Sequence, residues 1–393
     1  MPKAVPDGNL SGATEVRYGT GDEEKTVVGR ATAGVGQFAI HVEGSRRAAE
    51  DYNVPDSHGA GALRDSFATA TSYSVGGSWI TSKGYIGAAY TRQDSKYGLP
   101  GHSHRNGLCH LHSIDLHCAP ELGDPFEGQN DDDTADIDLR SERVDVRADY
   151  NRLLPGLDHA RMRLSYTDYH HDEVDGTFLF TSNSNKVYDG RVELTHAPLL
   201  GFSGTFGFQY THSAFVGLDS NFVGLETNPH EFVTENAGLS LTERRSFGAF
   251  NVQLAARQDG RNVHAVKKDY TYYYPPDPEF PLDAVFIDFA NELYNEFYAE
   301  SYPRSTPKPF SASLGLTWNL PEGYSARLAV ARTQRAPNLR ELYARGNNLA
   351  TNSFEVGIAR TAAFLNLLPA SNPNILETNK SVDLTFRKVG GLT

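Results

Sequence analysis

Five of the chain's fourteen histidines, and both of its cysteines, fall within the stretch GHSHRNGLCHLHSIDLHC, residues 101–118. The possible ligands there are His102, His104, His110, His112 and His117, together with Asp115, Cys109 and Cys118. Asp131, Asp132, Asp133, Asp136 and Asp138 follow closely. Imidazole nitrogen and carboxylate oxygen are ordinary Zn²⁺ ligands, and three or four placed tetrahedrally make a site. His102/His104 and His110/His112 share a His-x-His spacing, which in an extended segment puts both residues on one side, about 6–7 Å apart. Imidazole suits Zn, Cu, Ni and Fe alike, so the stretch points to a divalent transition metal without selecting one. The two cysteines could form a disulfide or serve as metal thiolates, and their number alone leaves both open. A second cluster, DYHHDE, supplies His170, His171, Asp172 and Glu173. Alternation along an extended strand puts its even and odd members on opposite walls, so the four cannot all serve one ion. No nucleophile–base pair, phosphate-cradling glycine loop or pair of catalytic carboxylates stands out, and no enzymatic activity is expected.

The elements that hold these clusters are read from composition first. Asp and Glu number 49 against 36 Lys and Arg, giving a net charge of −13. A nucleic-acid partner would need a basic face, so none is expected. No apolar run approaches the roughly 18 residues that a membrane helix requires. The opening MPKAVPDGNLSGATEV has no apolar core of a secretory signal. Gly 36, Tyr 20 and Phe 21 beside Cys 2 and Met 2 make a β-rich profile. Low hydropathy is no objection to a membrane protein of that kind, because a transmembrane strand is apolar on one face only.

Strict alternation recurs along the chain. Phe310, Ala312, Leu314, Leu316, Trp318 and Leu320 interleave with Ser311, Ser313, Gly315, Thr317 and Asn319. Arg143, Asp145, Arg147 and Asp149 interleave with Val144, Val146, Ala148 and Tyr150. About fourteen such segments follow one another, near 10–18, 25–34, 37–47, 68–77, 84–93, 138–150, 159–170, 186–196, 202–213, 236–246, 248–259, 310–319, 323–334 and 378–388. Many run about 9–11 residues, the length of a tilted transmembrane strand, whereas soluble strands average about 5–6. Their connections alternate between short and long, with the long ones at 48–67, 94–137, 171–185, 214–235, 260–309 and 335–377. That parity belongs to outer-membrane barrels, whose turns are tight on the periplasmic side and long outside. The expected fold is therefore all-β, a transmembrane antiparallel up-and-down barrel. The histidine stretch falls in its third outside loop, 94–137, and the tyrosine-rich YTYYYPPDPEF opens the sixth as a folded lid.

The seventh outside loop reads RTQRAPNLRELYARGNNLATNSFEVG and is followed by NPNILETNKSVDL. This pairing resembles the barrel of TonB-dependent outer-membrane receptors through Arg335, Pro337, Glu341, Leu342, Tyr343, Ala350, Thr351, Phe354, Glu355, Gly357, Asn372, Pro373 and Asn374. Within that family the chain is most similar to zinc-uptake receptors of the ZnuD type. YGLPGHSHRNGLCH, DDDTADIDLRSERVDVRADY, DYHHDEVDG, RVELTHAPL and ELYARGNNLATNSFEVG carry the similarity. The resemblance implies a bacterial outer-membrane location among lipid and lipopolysaccharide. It also implies Zn²⁺ as cargo and energy from TonB–ExbB–ExbD through an N-terminal plug domain.

Family members have a plug and about 22 strands, so residues 1–393 are expected to be a partial barrel domain without plug, TonB box or last strands. A complete fourteen-stranded passive porin is the alternative. The resemblance makes Glu173 a barrel ligand of a high-affinity site, with His171 as its lumen-side neighbour. It fails at one point: where the family reads ELYAHGKH, this chain has Arg345 and Asn348. Haem receptors carry an axial histidine between the RAP and NPN boxes, and here no histidine follows His264, so haem is the weaker cargo. Ferric siderophores remain a further alternative. An extracellular location is oxidising and favours a Cys109–Cys118 disulfide over thiolate ligation.

Overall fold

The computed structural model describes residues 1–55, 57, 61–100, 109–112, 115–118, 135–175, 178–219, 230–266, 302–348, 353–358 and 372–388. Its main body is one sheet of fourteen antiparallel strands, each hydrogen-bonded to the next in chain order. They are β1 (Leu10–Tyr18), β2 (Lys25–Val35), β3 (Phe38–Ala49), β4 (Ala68–Thr81), β5 (Gly84–Gly98), β8 (Ala135–Asn151) and β9 (Leu157–Asp175), continuing as β10 (Phe178–His196), β11 (Ser203–Asp219), β12 (His230–Phe247), β13 (Phe250–Val266), β14 (Phe310–Asn319), β15 (Tyr324–Arg335) and β18 (Glu377–Lys388). Two small hairpins lie in the outer connections, β6 (Cys109–His112) with β7 (Asp115–Cys118) and β16 (Arg345–Asn348) with β17 (Ser353–Val356). The sheet is not closed, and β1 and β18 are its edges. All fourteen segments with period-two alternation are strands.

The alternation sorts the two faces. Phe206, Phe208 and Tyr210 on β11, Leu239 and Leu241 on β12, Leu314 and Trp318 on β14, and Leu328 and Val330 on β15 are exposed and share one face. In water such a continuous apolar surface would be anomalous; against hydrocarbon it is the requirement. Tyr73 with Tyr90 and Tyr166 with Tyr188 form ring pairs at 6.1 and 4.8 Å near its outer margin. Phe250 stacks on Trp318 at 5.6 Å near the opposite margin. These are the aromatic girdles of a spanning barrel. The other face is charged. Arg143 and Arg147 hold Asp145 at 2.8 and 3.3 Å, Arg161 holds Asp149 at 3.1 Å, and Arg257 holds Asp259 at 2.6 Å.

Connections on one side are short: 36–37, 82–83, 152–156, 197–202, 248–249 and 320–323. Phe247 pairs with Phe250 across two residues, and Gly248 takes φ 59°, a value that a tight hairpin demands and a Cβ opposes.

One expected boundary is wrong. Residues 171–185 are not a long loop; β9 and β10 run on as a ladder, with Asp175 pairing Phe178. These strands are 19 residues each, about twice the length that spans a bilayer. Beyond the girdle both faces meet water, so the sequence loses its alternation while the hydrogen-bond ladder continues. The expected loops at 214–235 and 260–309 shorten for the same reason, because β11 and β13 reach Asp219 and Val266. The proposed lid at 270–280 lies outside the described residues.

Candidate functional site

The long connections and the projecting strand ends share one rim. There the DYHHDE cluster sits on β9, between β8 and β10. His171 faces Leu139 on one side and Asn183 on the other, and Glu173 faces Ile137 and Thr181. By register these two share the charged, lumenal wall with Arg161 and Ser165, whereas His170 and Asp172 stand on the outer wall. The expectation that the four split between two walls holds. His170 and Asp172 pair with each other at 3.1 Å.

On the lumenal side the Asn183 amide donates to His171 Nε2 at 3.2 Å, and the Thr181 hydroxyl donates to Glu173 Oε2 at 3.3 Å. With Nε2 accepting, the proton lies on Nδ1, which is buried without a partner. A metal would require that tautomer to change or the amide to turn away. Among the described residues no three His, Cys, Asp or Glu side chains converge on one point. His171 and Glu173 are the two members of the cluster on the lumenal wall.

The histidine stretch divides. His102 and His104 lie outside the described residues, as do Asp131, Asp132 and Asp133. His110, His112, Asp115 and His117, with Cys109 and Cys118, lie on the β6–β7 hairpin, where Cys109 pairs with Cys118. Asp136 and Asp138 are on β8, and Asp136 pairs with Lys96 at 3.3 Å.

The seventh-loop residues form a clamp. Asn338 caps the short helix α1 (Leu339–Tyr343): its Oδ1 accepts from Glu341 N at 2.8 Å, while Glu341 Oε2 accepts from Asn338 N at 2.8 Å. The same carboxylate receives Arg335 in a fork at 2.8 and 2.9 Å. Arg335 also donates to Glu377 at 2.6 Å. The Arg335 fork, and next the Asn338 amide, hold the Glu341 carboxyl below its ordinary range.

Pro337 is buried, turning the chain inward. Leu342 and Tyr343 then pack on Val263, Phe232, Tyr302 and Leu339, with the Tyr343 ring stacked on Phe232 at 5.5 Å. The Tyr343 hydroxyl donates to Pro303 O at 2.7 Å, and burial pushes its phenol up to about 12. Glu355, on β17, pairs with Gly346. Arg335, Pro337, Glu341 and Tyr343 are therefore anchors that tie an outer connection to the inner wall of β12 and β13.

Sequence reading missed Glu377, Ser305 and Val263 as members of this clamp. Glu377 was findable as the acid closing the NPNILE segment. Ser305 and Val263 carry no motif; they meet through mutual backbone hydrogen bonds at 2.8 and 2.9 Å, and the Ser305 hydroxyl donates to Pro373 O at 2.6 Å.

A lipid-facing apolar band, two aromatic girdles, a charged inner wall and one-sided long connections define the wall of an outer-membrane β-barrel. The chain belongs to the family described as TonB dependent receptor-like, beta-barrel, whose model matches residues 81–393. Members of that family are bacterial outer-membrane proteins, and they are receptors and transporters.

Solved structures with the same fold include a copper transporter, OprC, with TM-score 0.62 at 11% identity over 97% of this chain and 50% of that one. The Serratia marcescens hemophore receptor HasR, solved with its hemophore HasA and heme, gives 0.61 at 14% identity, covering 96% and 51%. The FrpB iron transporter from Neisseria meningitidis gives 0.58 at 11% identity, covering 97% and 51%. The chain thus spans about half the length of each.

Proposed function

We propose that this protein takes up a divalent transition-metal ion, Zn²⁺ foremost, across the outer membrane, energised by the TonB–ExbB–ExbD complex. The observation that carries the reading is the density of imidazole in the connection between β5 and β8, on the same rim as His171 and Glu173. The connection captures the ion weakly, and the lumenal pair His171/Glu173 receives it together with donors from beyond the described wall. His170 and Asp172, on the outer wall, serve capture only. Ligands must be deprotonated, so capture falls as pH drops through about 6.5. Haem and ferric siderophores are the competing cargoes. A large planar or catecholate cargo gives no reason for clustered imidazoles in an outer loop.

Equilibrium dialysis of the full chain in detergent against Zn²⁺, haemin and a ferric siderophore tests this. Zn²⁺ retained at tens of micromolar, with neither competitor bound more tightly, is the expected result. Tight haemin or siderophore binding without Zn²⁺ retention would overturn it.

A further inference from the structure

The turn between β10 and β11, residues 197–202, brings Phe202 beside Arg245 of β12. The Arg245 guanidinium lies over the Phe202 ring at 5.3 Å and over the Phe247 ring at 4.3 Å. Those two rings meet edge to face at 6.4 Å. Both cation–ring contacts are within the range of a cation–π attraction. Gly201 makes the room: its φ is 78°, and a Cβ there would stand 2.9 Å from Arg245 Nε. Arg245 is thus half-buried and held in one place. Among the described residues it has no hydrogen bond or ion pair, so its fork of donors is unused. The nearest carboxylate along the strand, Glu243, is engaged by His196 Nε2 at 3.0 Å.

Register puts this cage on the lipid side. Arg245 continues the alternate positions of Leu239 and Leu241 on β12, and it pairs with Val252, which shares a face with Leu254. Phe247 pairs with Phe250, whose ring stacks on Trp318, so Arg245 lies at the level of the girdle near the short turns. Short turns face the periplasm in a barrel of this kind, and aromatic belts lie at headgroup depth. Leu199 and Leu200, in the same turn as Gly201, are exposed beside the cation.

We propose that Arg245, caged by Phe202 and Phe247, is a binding site for the phosphodiester of an anionic phospholipid in the periplasmic leaflet. A guanidinium at this depth is partly withdrawn from water, where an unpaired charge is costly. The described wall supplies no anion to it, and the pairing anion comes from the bilayer. Phosphodiester oxygens match the guanidinium fork bidentately. Two ring contacts fix the fork in advance, so little rotamer freedom is lost on binding. A zwitterionic lipid balances its phosphate with its own ammonium, which leaves the anionic class favoured. Lys388, over Tyr324 at 4.8 Å, ends the same aromatic row, yet it is exposed, touches one ring and offers a point charge without a fork.

The test uses the full 393-residue chain in detergent micelles doped with phosphatidylglycerol or phosphatidylcholine whose brominated tails quench tryptophan on contact. The chain has two tryptophans. Trp318 on β14 is two strand spacings from Arg245, about 10 Å across the sheet. Trp79 on β4 is six spacings away on the other side, about 29 Å along the sheet. With Trp79→Phe, Trp318 emission should be quenched at about tenfold less phosphatidylglycerol than phosphatidylcholine, the factor expected of one charge-assisted hydrogen bond. With Trp318→Phe, Trp79 should show no preference. Arg245→Gln should abolish the preference at Trp318, Arg245→Lys should keep part of it, and Lys388→Gln should leave it unchanged. Millimolar inorganic phosphate should not restore the emission.

Equal quenching of Trp318 by the two lipids overturns the proposal without any change at Arg245. The same preference at Trp79 would overturn it in favour of a diffuse charge effect. A preference that survives Arg245→Gln places the site at another residue. Loss of the preference to inorganic phosphate would assign the cage to a free anion instead of a lipid.

Discussion

Leu342→Ala should loosen the seventh-loop clamp without touching the barrel. Leu342 is fully buried against Val263, Tyr343, Phe232, Tyr302 and Leu339. The substitution removes three carbon atoms, worth roughly 2.4 kcal/mol at about 0.8 kcal/mol per methylene. Collapse of the hole is resisted, because Val263 and Phe232 are fixed in the β12–β13 ladder through Thr234 and Ala265. The unfilled cavity then lifts the cost toward the roughly 3–5 kcal/mol found for rigid sites. Hydrogen exchange in micelles reads this locally. The informative amides are Leu342 N, bonded to Asn338 O at 3.1 Å, Ala344 N, bonded to Arg340 O at 2.9 Å, and Gly357 N, bonded to Ala344 O at 2.6 Å. They should exchange at least roughly a hundredfold faster, since each 1.4 kcal/mol is tenfold. Amides of β9–β11 should not change. Unaltered protection at Ala344 and Gly357 would refute the clamp, and a uniform loss across β9–β11 would refute its independence from the wall.

Gly357→Ala should weaken the same clamp by about 1–3 kcal/mol of overpacking, read as faster exchange at Ala344, because a Cβ there would press on the Leu342 carbonyl and the Tyr343 amide. The Glu341 carboxyl is held below its ordinary range, so its stabilisation is complete above the unfolded value near 4.5 and is lost as pH falls through the lower folded one. The pH profile of Tyr343 exchange, corrected for intrinsic rates, should therefore show a step below pH 4.5 that Glu341→Gln abolishes; a step surviving that change would assign it to another group. At the rim, Glu173→Gln and His171→Ala should each lower ion retention in outer membranes about tenfold or more while leaving capture by the outer loop intact. Equal loss of both would show that β9 carries no separate step.

Why the wall was legible and the rim was not follows from what alternation reports. Phe206, Phe208 and Tyr210 interleave with Thr205, Gln209 and Thr211 because one side of β11 meets lipid and the other meets charge. Period two is a record of that difference in solvent. From Thr167 to Asp175 the strand continues, but neither side is in hydrocarbon, so His170 and His171 stand adjacent and the pattern lapses. A strand end there reads as a loop. The family motif was visible as spacing, yet its role as a clamp needed Val263 and Ser305, which are ordinary residues brought together by the fold.

The same physics places the chemistry where sequence sees least. On the proposed uptake reading, cargo is met in water and its ligands belong beyond the girdle, in segments freed from the two-face constraint. There the number and type of side chains are readable, and their grouping is not. His-x-His spacing in residues 101–118 suggests two equivalent pairs, His102/His104 and His110/His112. Register adds what spacing cannot for the second pair, where His110 pairs with His117 and His112 with Asp115. The ladder also pairs Cys109 with Cys118, which counting cysteines cannot show.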